Sequence, residues 1–283
     1  MRMGAGRPAA ARVRRLRGRS AAAVGLFPRF DEEEPERAPD APGKTGLPRL
    51  WELLRRDFWD YFRAGFLALA GCVPFIVGMV FAVAGRAVLL APVSGLIGGA
   101  LAGPELCALA DTLLRGLRDD TGRVWWRTYR GAWRRSAKAA LLPGALGGAL
   151  LGTQLFFLLH AGELQVDLAT GAALALGVLL LLGMSLYLWP QLALMELSLG
   201  QLIKNSALLF IGQLPRTAGA VAVFFVYILV SLRFFSFALS LLPLTNFWLP
   251  TLPALMLVYP GLEQAFGIEE KFRQAQRSPG EGE

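Results

Sequence analysis

Long apolar blocks, each of roughly 20 residues, restrict the fold of this sequence more than any other feature. Because a helix rises about 1.5 Å per residue, each block is long enough to cross a bilayer. Charged residues make up only 18% of the chain, against about 25% in soluble domains. These observations predict an all-α, polytopic transmembrane bundle of six spans. The spans are predicted near residues 64–85, 87–114, 139–160, 168–195, 217–240 and 245–267.

Basic residues alternate between the segments that separate the predicted spans. When each charge near a span end is assigned to its nearest loop, successive segments hold 14, 1, 8, 0, 2, 1 and 3 Lys or Arg residues, which together are the 29 in the chain. Cytosolic loops of membrane proteins carry an excess of Lys and Arg. The alternation therefore predicts that both termini lie inside, and that the first, third and fifth loops lie outside.

The chain divides into a membrane domain and two polar tails. Residues 1–50 contain an Arg-rich stretch followed by an acidic one and few large apolar residues, so we expect a disordered cytosolic tail. Residues 51–267 form the predicted transmembrane domain, and 268–283 a cytosolic C-terminal tail. Within the border region, residues 49–63 mix aromatic and charged side chains, which predicts an amphipathic helix lying at the interface before the first span.

Two glycine patterns indicate where helices pack closely. Gly95, Gly99 and Gly103 recur every four residues, and the same spacing occurs in Gly144–Gly152. Small residues at this spacing form a smooth helix face, which lets another backbone approach closely. The two stretches share six of nine positions (GLIGGALAG and GALGGALLG), which is compatible with either a duplicated helix or a shared Gly/Ala/Leu bias.

The loop between the second and third predicted spans has an aromatic face and a basic face. On a helical projection, Trp125, Trp126, Tyr129 and Trp133 lie opposite Arg123, Arg127, Arg130, Arg134 and Lys138. This arrangement predicts a helix lying flat among the lipid headgroups. Interleaved aromatic and Arg residues also occur in nucleic-acid-binding proteins. Because spans flank the loop on both sides, we favour the lipid bilayer as its partner and expect no nucleic acid.

Four motifs follow one another along the chain: the run Gly103-Pro104-Glu105-Leu106-Cys107, the basic aromatic loop, the helix that carries Lys204 and Asn205, and the segment Leu214-Pro215-Arg216-Thr217. In this order they resemble the YesL-like family of bacterial integral membrane proteins. The resemblance covers roughly residues 55–270. It implies a multi-span fold in the bacterial cytoplasmic membrane, in which the Gly-Pro segment opens the helix after the first span. It also implies a role beside membrane transport components, accessory to carbohydrate uptake.

Ionisable residues in or near the spans are the other candidate functional positions, because charge in a bilayer costs free energy. Asp111 and Arg115 are four apart and are predicted to pair along one helix face. Glu105 is predicted to lie at the start of the helix that Pro104 opens. Arg233 falls within the fifth predicted span and Glu196 at the end of the fourth. One reading is a buried polar relay; the favoured one has Arg233 reaching outward and Asp111 in a cytosolic extension of the second span.

The residues that carry chemistry are sparse. His160 is the only histidine and is predicted to be an interfacial polar tip; Cys72 and Cys107 lack CxxC spacing and are expected to be small buried hydrophobes. Neither HExxH nor a phosphate-binding glycine motif occurs. We therefore expect no enzyme activity and no cofactor.

One further function class stays open beside the accessory role. An ABC-type permease places a cytosolic coupling helix between two spans, and residues 199–215 are a candidate for it, although the usual alanine-rich opening is replaced by Glu196-Leu197-Ser198. In that case Lys204 and Arg216 would face the partner ATPase.

Overall fold

A computed structural model describes residues 46–120 and 124–268, the side chains of 237–239 excepted. Nearly all of the predicted N-terminal tail and the predicted C-terminal tail, apart from its first residue, lie outside these ranges. The described residues form eight α-helices and no strand. The helices are α1 (Leu47–Ala84), α2 (Leu90–Leu117), α3 (Trp125–Leu159), α4 (Leu168–Leu194), α5 (Leu199–Gly212), α6 (Leu214–Arg233), α7 (Phe235–Thr245) and α8 (Trp248–Phe266).

Six helical segments are long and apolar enough to cross a membrane. Five are α1, α2, α3, α4 and α6, and the sixth runs from Ser240 in α7 through α8 to Phe266. The chain is therefore a multi-pass α-helical membrane protein, and the predicted all-α fold with six spans is confirmed. The inside location of the two termini stays a prediction.

Two segments predicted as separate interfacial helices are continuous with spans. Residues 49–63 belong to α1, which has 38 residues and a length of about 57 Å. The basic and aromatic segment likewise belongs to α3, which has 35 residues. The prediction of separate helices lying flat is wrong here, because no helix break separates either segment from its span.

Helices α2 and α3 pack antiparallel with backbone against backbone. A Cβ atom added to Gly95 or Gly99 would overlap the carbonyl oxygen of Gly148 or Gly144, respectively. At Gly103 it would lie 2.5 Å from the Ala140 carbonyl oxygen. We call this line of contacts the glycine seam. The close approach predicted from the two glycine patterns is confirmed, and each pattern is the other's partner.

The glycine seam also marks where the lipid-facing surface of α2 and α3 ends. Large exposed aliphatic side chains on α2 stop at Leu101, and those within α3 begin at Leu141. Gly103 and Ala140 are in contact between these two positions. Beyond them α2 is mostly covered by other helices, while α3 exposes basic side chains. We call this level the band edge.

The turn between α7 and α8 lies at the same end of the molecule as the start of α1. The Trp248 ring is 5.6 Å from the Phe58 ring and 6.2 Å from the Tyr61 ring, measured between centroids. The Asn246 side chain fills the space beside Gly65. A strictly alternating bundle places this turn across the membrane from residues 58–65. The chain departs from this strict alternation at α5, which runs back along α4. As a result, α6 begins beside Tyr187 and not at the end of α4.

Candidate functional site

Charged side chains join the start of α1 to the end of α2. Arg49 is 2.8 Å from the Asp119 carboxylate, and Arg56 contacts both Asp119 and, at 2.7 Å, Asp57. Arg56 also donates to the carbonyl oxygen of Gly116 at 2.9 Å. We call Arg49, Arg56, Asp57 and Asp119 the α1–α2 ion-pair cluster. Its four charges largely balance, as expected for a link between two helix ends.

Asp119 reaches the cluster because the chain turns sharply after α2. Its backbone has φ +57°, in the left-handed region where Asp is one of the few tolerated non-glycine residues. Burial alone would raise the pKa of its carboxyl group, but the hydrogen bonds from Arg56 and Arg49 outweigh burial and lower that pKa. Asp119 is therefore an anion at neutral pH.

The predicted pair on α2 forms beside this cluster. The Arg115 Nε atom donates to Asp111 Oδ2 at 2.7 Å, and Arg115 Nη1 donates to Asp120 Oδ2 at 3.1 Å. Asp111 is buried on the Asp119 side of the band edge. A cavity of about 60 Å³ adjoins Asp57, Arg115 and Asp120. Ligand pockets usually measure about 300–1,000 Å³, so this cavity has room for water only.

Glu105 holds α2 to α3. The Tyr129 hydroxyl donates to Glu105 Oε2 at 2.5 Å, and the half-buried Glu105 side chain packs against Gly71 of α1. Pro104 lies buried in the interior of α2, which begins 14 residues earlier at Leu90. The expectation that Gly103-Pro104 opens a helix, with Glu105 at its positive end, is therefore wrong. A membrane helix tolerates an internal proline because neighbouring groups compensate for the lost hydrogen bond.

Helix α5 corresponds to the segment in which a coupling helix was predicted. It begins with a capping box, in which the Ser198 and Gln201 side chains each bond to the other residue's backbone. It then runs back along α4: Gln191 Nε2 donates to Ser206 Oγ at 3.1 Å, and the Phe210 ring occupies the space beside Gly183. Leu202 packs in one cluster with Ala140 and Leu192, so the first turn of α5 lies at the band edge, and the helix runs from there to the level of Gly183 near the middle of α4.

One face of α5 is exposed. Ser206 and Leu202 are its only fully buried side chains, and Asn205 is half-buried between the two faces. The exposed face carries Ile203, Lys204, Leu208 and Ile211, and Ile211 is 70% exposed. The face combines an apolar surface, which extends along α4 past the band edge, with a single cation, Lys204, in its first half.

The remaining predicted residues lie apart from one another. Glu196 is exposed in the segment between α4 and α5. Arg216 is exposed in the first turn of α6 and donates to Gln213 at 3.1 Å. Arg233 ends α6, is exposed, and lies 5.5 Å from the centre of the Phe234 ring. The structure therefore does not gather Asp111, Glu196 and Arg233 into one buried relay.

Three polar links between helices were not predicted from the sequence. One joins Arg49 and Arg56 at the start of α1 to Asp119 after α2. The buried pairs Gln191–Ser206 and Tyr187–Thr217, the latter at 2.7 Å between oxygens, were not predicted either. A glutamine next to Pro190 within an apolar span was an available signal, since buried amides need a partner.

The expectation for the two cysteines is confirmed, and that for the histidine is not. Cys72 and Cys107 are buried free thiols. His160 is also buried, with its Nδ1 atom 3.0 Å from the Phe156 carbonyl oxygen and its ring stacked on the Phe156 ring. Predicting an interfacial tip was wrong because the aromatic neighbour one turn earlier covers the imidazole. No group of three or more potential metal ligands occurs within residues 46–120 and 124–268.

A comparison of the chain with protein-family models, characterised proteins and solved structures found no match.

Proposed function

We propose that this chain is an accessory subunit of a carbohydrate-uptake system in the bacterial cytoplasmic membrane, and that it binds a transport component through α5. The exposed face of α5 is the observation that carries the proposal. The buried face is fixed to α4 by the Gln191–Ser206 hydrogen bond and by Phe210, so the exposed face has a defined position. The resemblance of the 199–216 region to YesL-like proteins supports the transport setting.

The composition of that face is suited to a membrane-protein partner that contacts α5 from the band edge inward. Ile203, Leu208 and Ile211 offer an apolar contact, and Lys204 adds a charge that selects for an acidic residue. Arg216 is exposed at the start of the following helix, within reach of the same partner by sequence position. The role requires neither a cofactor nor an enzyme activity of this chain.

Copurification from the native host tests the proposal. We expect the tagged chain, extracted in mild detergent, to recover a sugar-transport component, and the double charge reversal Lys204→Glu/Arg216→Glu to reduce that recovery. The matched control is Arg55→Glu/Arg233→Glu, which reverses two exposed charges outside α5. Recovery of no transport component by the unaltered chain, or equal recovery by both variants, would contradict the proposal.

A permease subunit is the second candidate, because α5 is a discrete capped helix between two membrane-spanning helices. In a permease such a helix couples ATP hydrolysis to movement of the membrane-spanning helices, so its partner is a nucleotide-binding ATPase. The same experiment separates the two candidates by what is recovered. An ATPase that is lost on Lys204→Glu/Arg216→Glu favours the permease, whereas a sugar-binding or permease component favours the accessory role.

A further inference from the structure

Four basic side chains form an exposed stripe on α3. Arg127, Arg130, Arg134 and Lys138 follow one another at spacings of three or four residues, so they share a helix face. All four are exposed, and none is ion-paired with any residue in the described ranges. We call them the basic stripe. Four neighbouring cations repel one another, so an anion bound along them would be stabilised.

The basic stripe is continuous with the lipid-facing surface of the same helix. Leu141 and Leu142, both exposed, lie on the same face immediately after Lys138 and at the band edge. Trp126 and Trp133 are partly exposed beside the stripe, and tryptophan favours the headgroup level of a bilayer. The stripe therefore begins where hydrocarbon ends and extends away from it.

We propose that the basic stripe is a binding site for the headgroup phosphates of anionic phospholipids. This inference does not depend on the function proposed for α5. Phosphatidylglycerol carries a net negative charge, whereas the choline of phosphatidylcholine neutralises its phosphate. Three arginines supply planar donors that bind phosphate oxygens at two points each. Lys138 and Arg134 are the members of the stripe nearest the band edge, so they lie closest to the headgroup level.

The packing of the aromatic residues disfavours a nucleic acid as the occupant. Base stacking requires free aromatic faces beside the basic residues. Tyr129 is instead buried with its hydroxyl on Glu105, and its ring stacks on Trp125 at 5.3 Å. Arg63 of α1 lies 5.6 Å from the centre of that Trp125 ring. Trp125 and Tyr129 are thus occupied by the protein itself, which leaves Trp126 and Trp133 as the exposed aromatic residues beside the stripe.

Quenching of tryptophan fluorescence by brominated lipid tests this proposal. The full-length chain is reconstituted in phosphatidylcholine vesicles that contain a small fraction of dibrominated phosphatidylglycerol or, separately, of dibrominated phosphatidylcholine. We expect phosphatidylglycerol to quench more strongly, and the excess to be lost in Trp126→Phe/Trp133→Phe. In Arg130→Gln/Arg134→Gln/Lys138→Gln, the preference for phosphatidylglycerol should fall about tenfold. The control Lys204→Gln/Arg216→Gln/Arg233→Gln removes the same charge elsewhere and should retain it.

The outcomes are distinct. Equal quenching of the unaltered chain by the two lipids, or full preference in the stripe variant, would overturn the proposal. If the stripe variant fails to fold, salt provides the second test on the unaltered chain. The preference should fall as ionic strength rises, because exposed charges are screened, and a preference that persists at high salt would also overturn it. If a single-stranded oligonucleotide displaced phosphatidylglycerol from the stripe, the proposal would be overturned and a nucleic acid would be identified as the ligand.

Discussion

Backbone packs directly on backbone where α2 meets α3, whereas α5 is held to α4 by a few side chains. In the glycine seam, Gly95, Gly99 and Gly103 face Gly148, Gly144 and Ala140 with no space for a single added carbon. On α5, only Leu202 and Ser206 are fully buried. Without a hydrophobic drive between helices in lipid, close packing is the main source of association. The comparison teaches that α1–α3 form the most closely packed part of the molecule, whereas α5 keeps its place through a small number of side-chain contacts.

Substitution in the glycine seam should have the largest effect on stability. The variant Gly99→Ala places a methyl group into the Gly144 carbonyl, which forces the helices apart at a cost of about 3 kcal/mol. Gly147→Ala is the matched control, since an added Cβ meets nothing within 4 Å there. Alanine is the better helix former, so the control should be neutral or slightly stabilising. Thermal unfolding in detergent, followed by circular dichroism, measures both. Equal midpoints for the two variants would show that the seam is not tight.

The α1–α2 ion-pair cluster should show the next largest effect. In Arg56→Gln, Asp57 and Asp119 lose a shared cation and the Gly116 carbonyl loses its donor, for a loss of about 2 kcal/mol in the free energy of unfolding. The neighbouring Arg55→Gln removes the same charge from an exposed side chain and should change stability by less than about 0.5 kcal/mol. The same unfolding measurement applies. A loss as large in Arg55→Gln would mean that net charge, and not the cluster, sets stability.

The spans were predictable from sequence, but their mutual arrangement was predictable only in part. Apolar length determines which segments cross lipid, and the four-residue glycine spacing identified the close-packed faces. The course of α5 was not predictable, because it depends on Gln191 meeting Ser206 and on Phe210 fitting beside Gly183. The position of Pro104 was predicted wrongly because a proline usually begins a helix in a water-soluble protein. A membrane helix also tolerates a proline in its interior, which is where Pro104 lies. Asp111–Arg115 was predictable because both residues lie on one helix, whereas the links from α1 to Asp119 join distant segments.

Removing the polar attachment of α5 should cost less than disturbing the α1–α3 unit. Ser206→Ala leaves the buried Gln191 amide without its acceptor, which should cost about 1 kcal/mol. The double variant Gln191→Leu/Ser206→Ala removes both polar groups and should recover part of that loss. Hydrogen–deuterium exchange should show faster exchange of α5 in Ser206→Ala, with α2 and α3 unchanged. Equal destabilisation of all helices would mean that α5 and the three-helix unit unfold together.

Lowering the pH should weaken the contacts at the end of α2 but not those that hold α5, because only the former include a titrating carboxylate. This difference between the two regions should be smallest at neutral pH. The pKa of Asp119 is lowered from its ordinary value of 3.8 by Arg56 and Arg49, although burial opposes this. A carboxylate with a lowered pKa contributes its stability above the ordinary pKa and loses it as pH falls through the lowered value. Amides near the end of α2 should therefore exchange faster only below about pH 4, whereas α5, held by the neutral Gln191–Ser206 pair, should show no such step. Asp119→Asn removes the titrating group. In this variant the amides at the end of α2 should exchange faster at neutral pH than in the unaltered chain, and the acid step should lack the Asp119 contribution. An acid step of equal size in Asp119→Asn would assign the effect to another carboxylate.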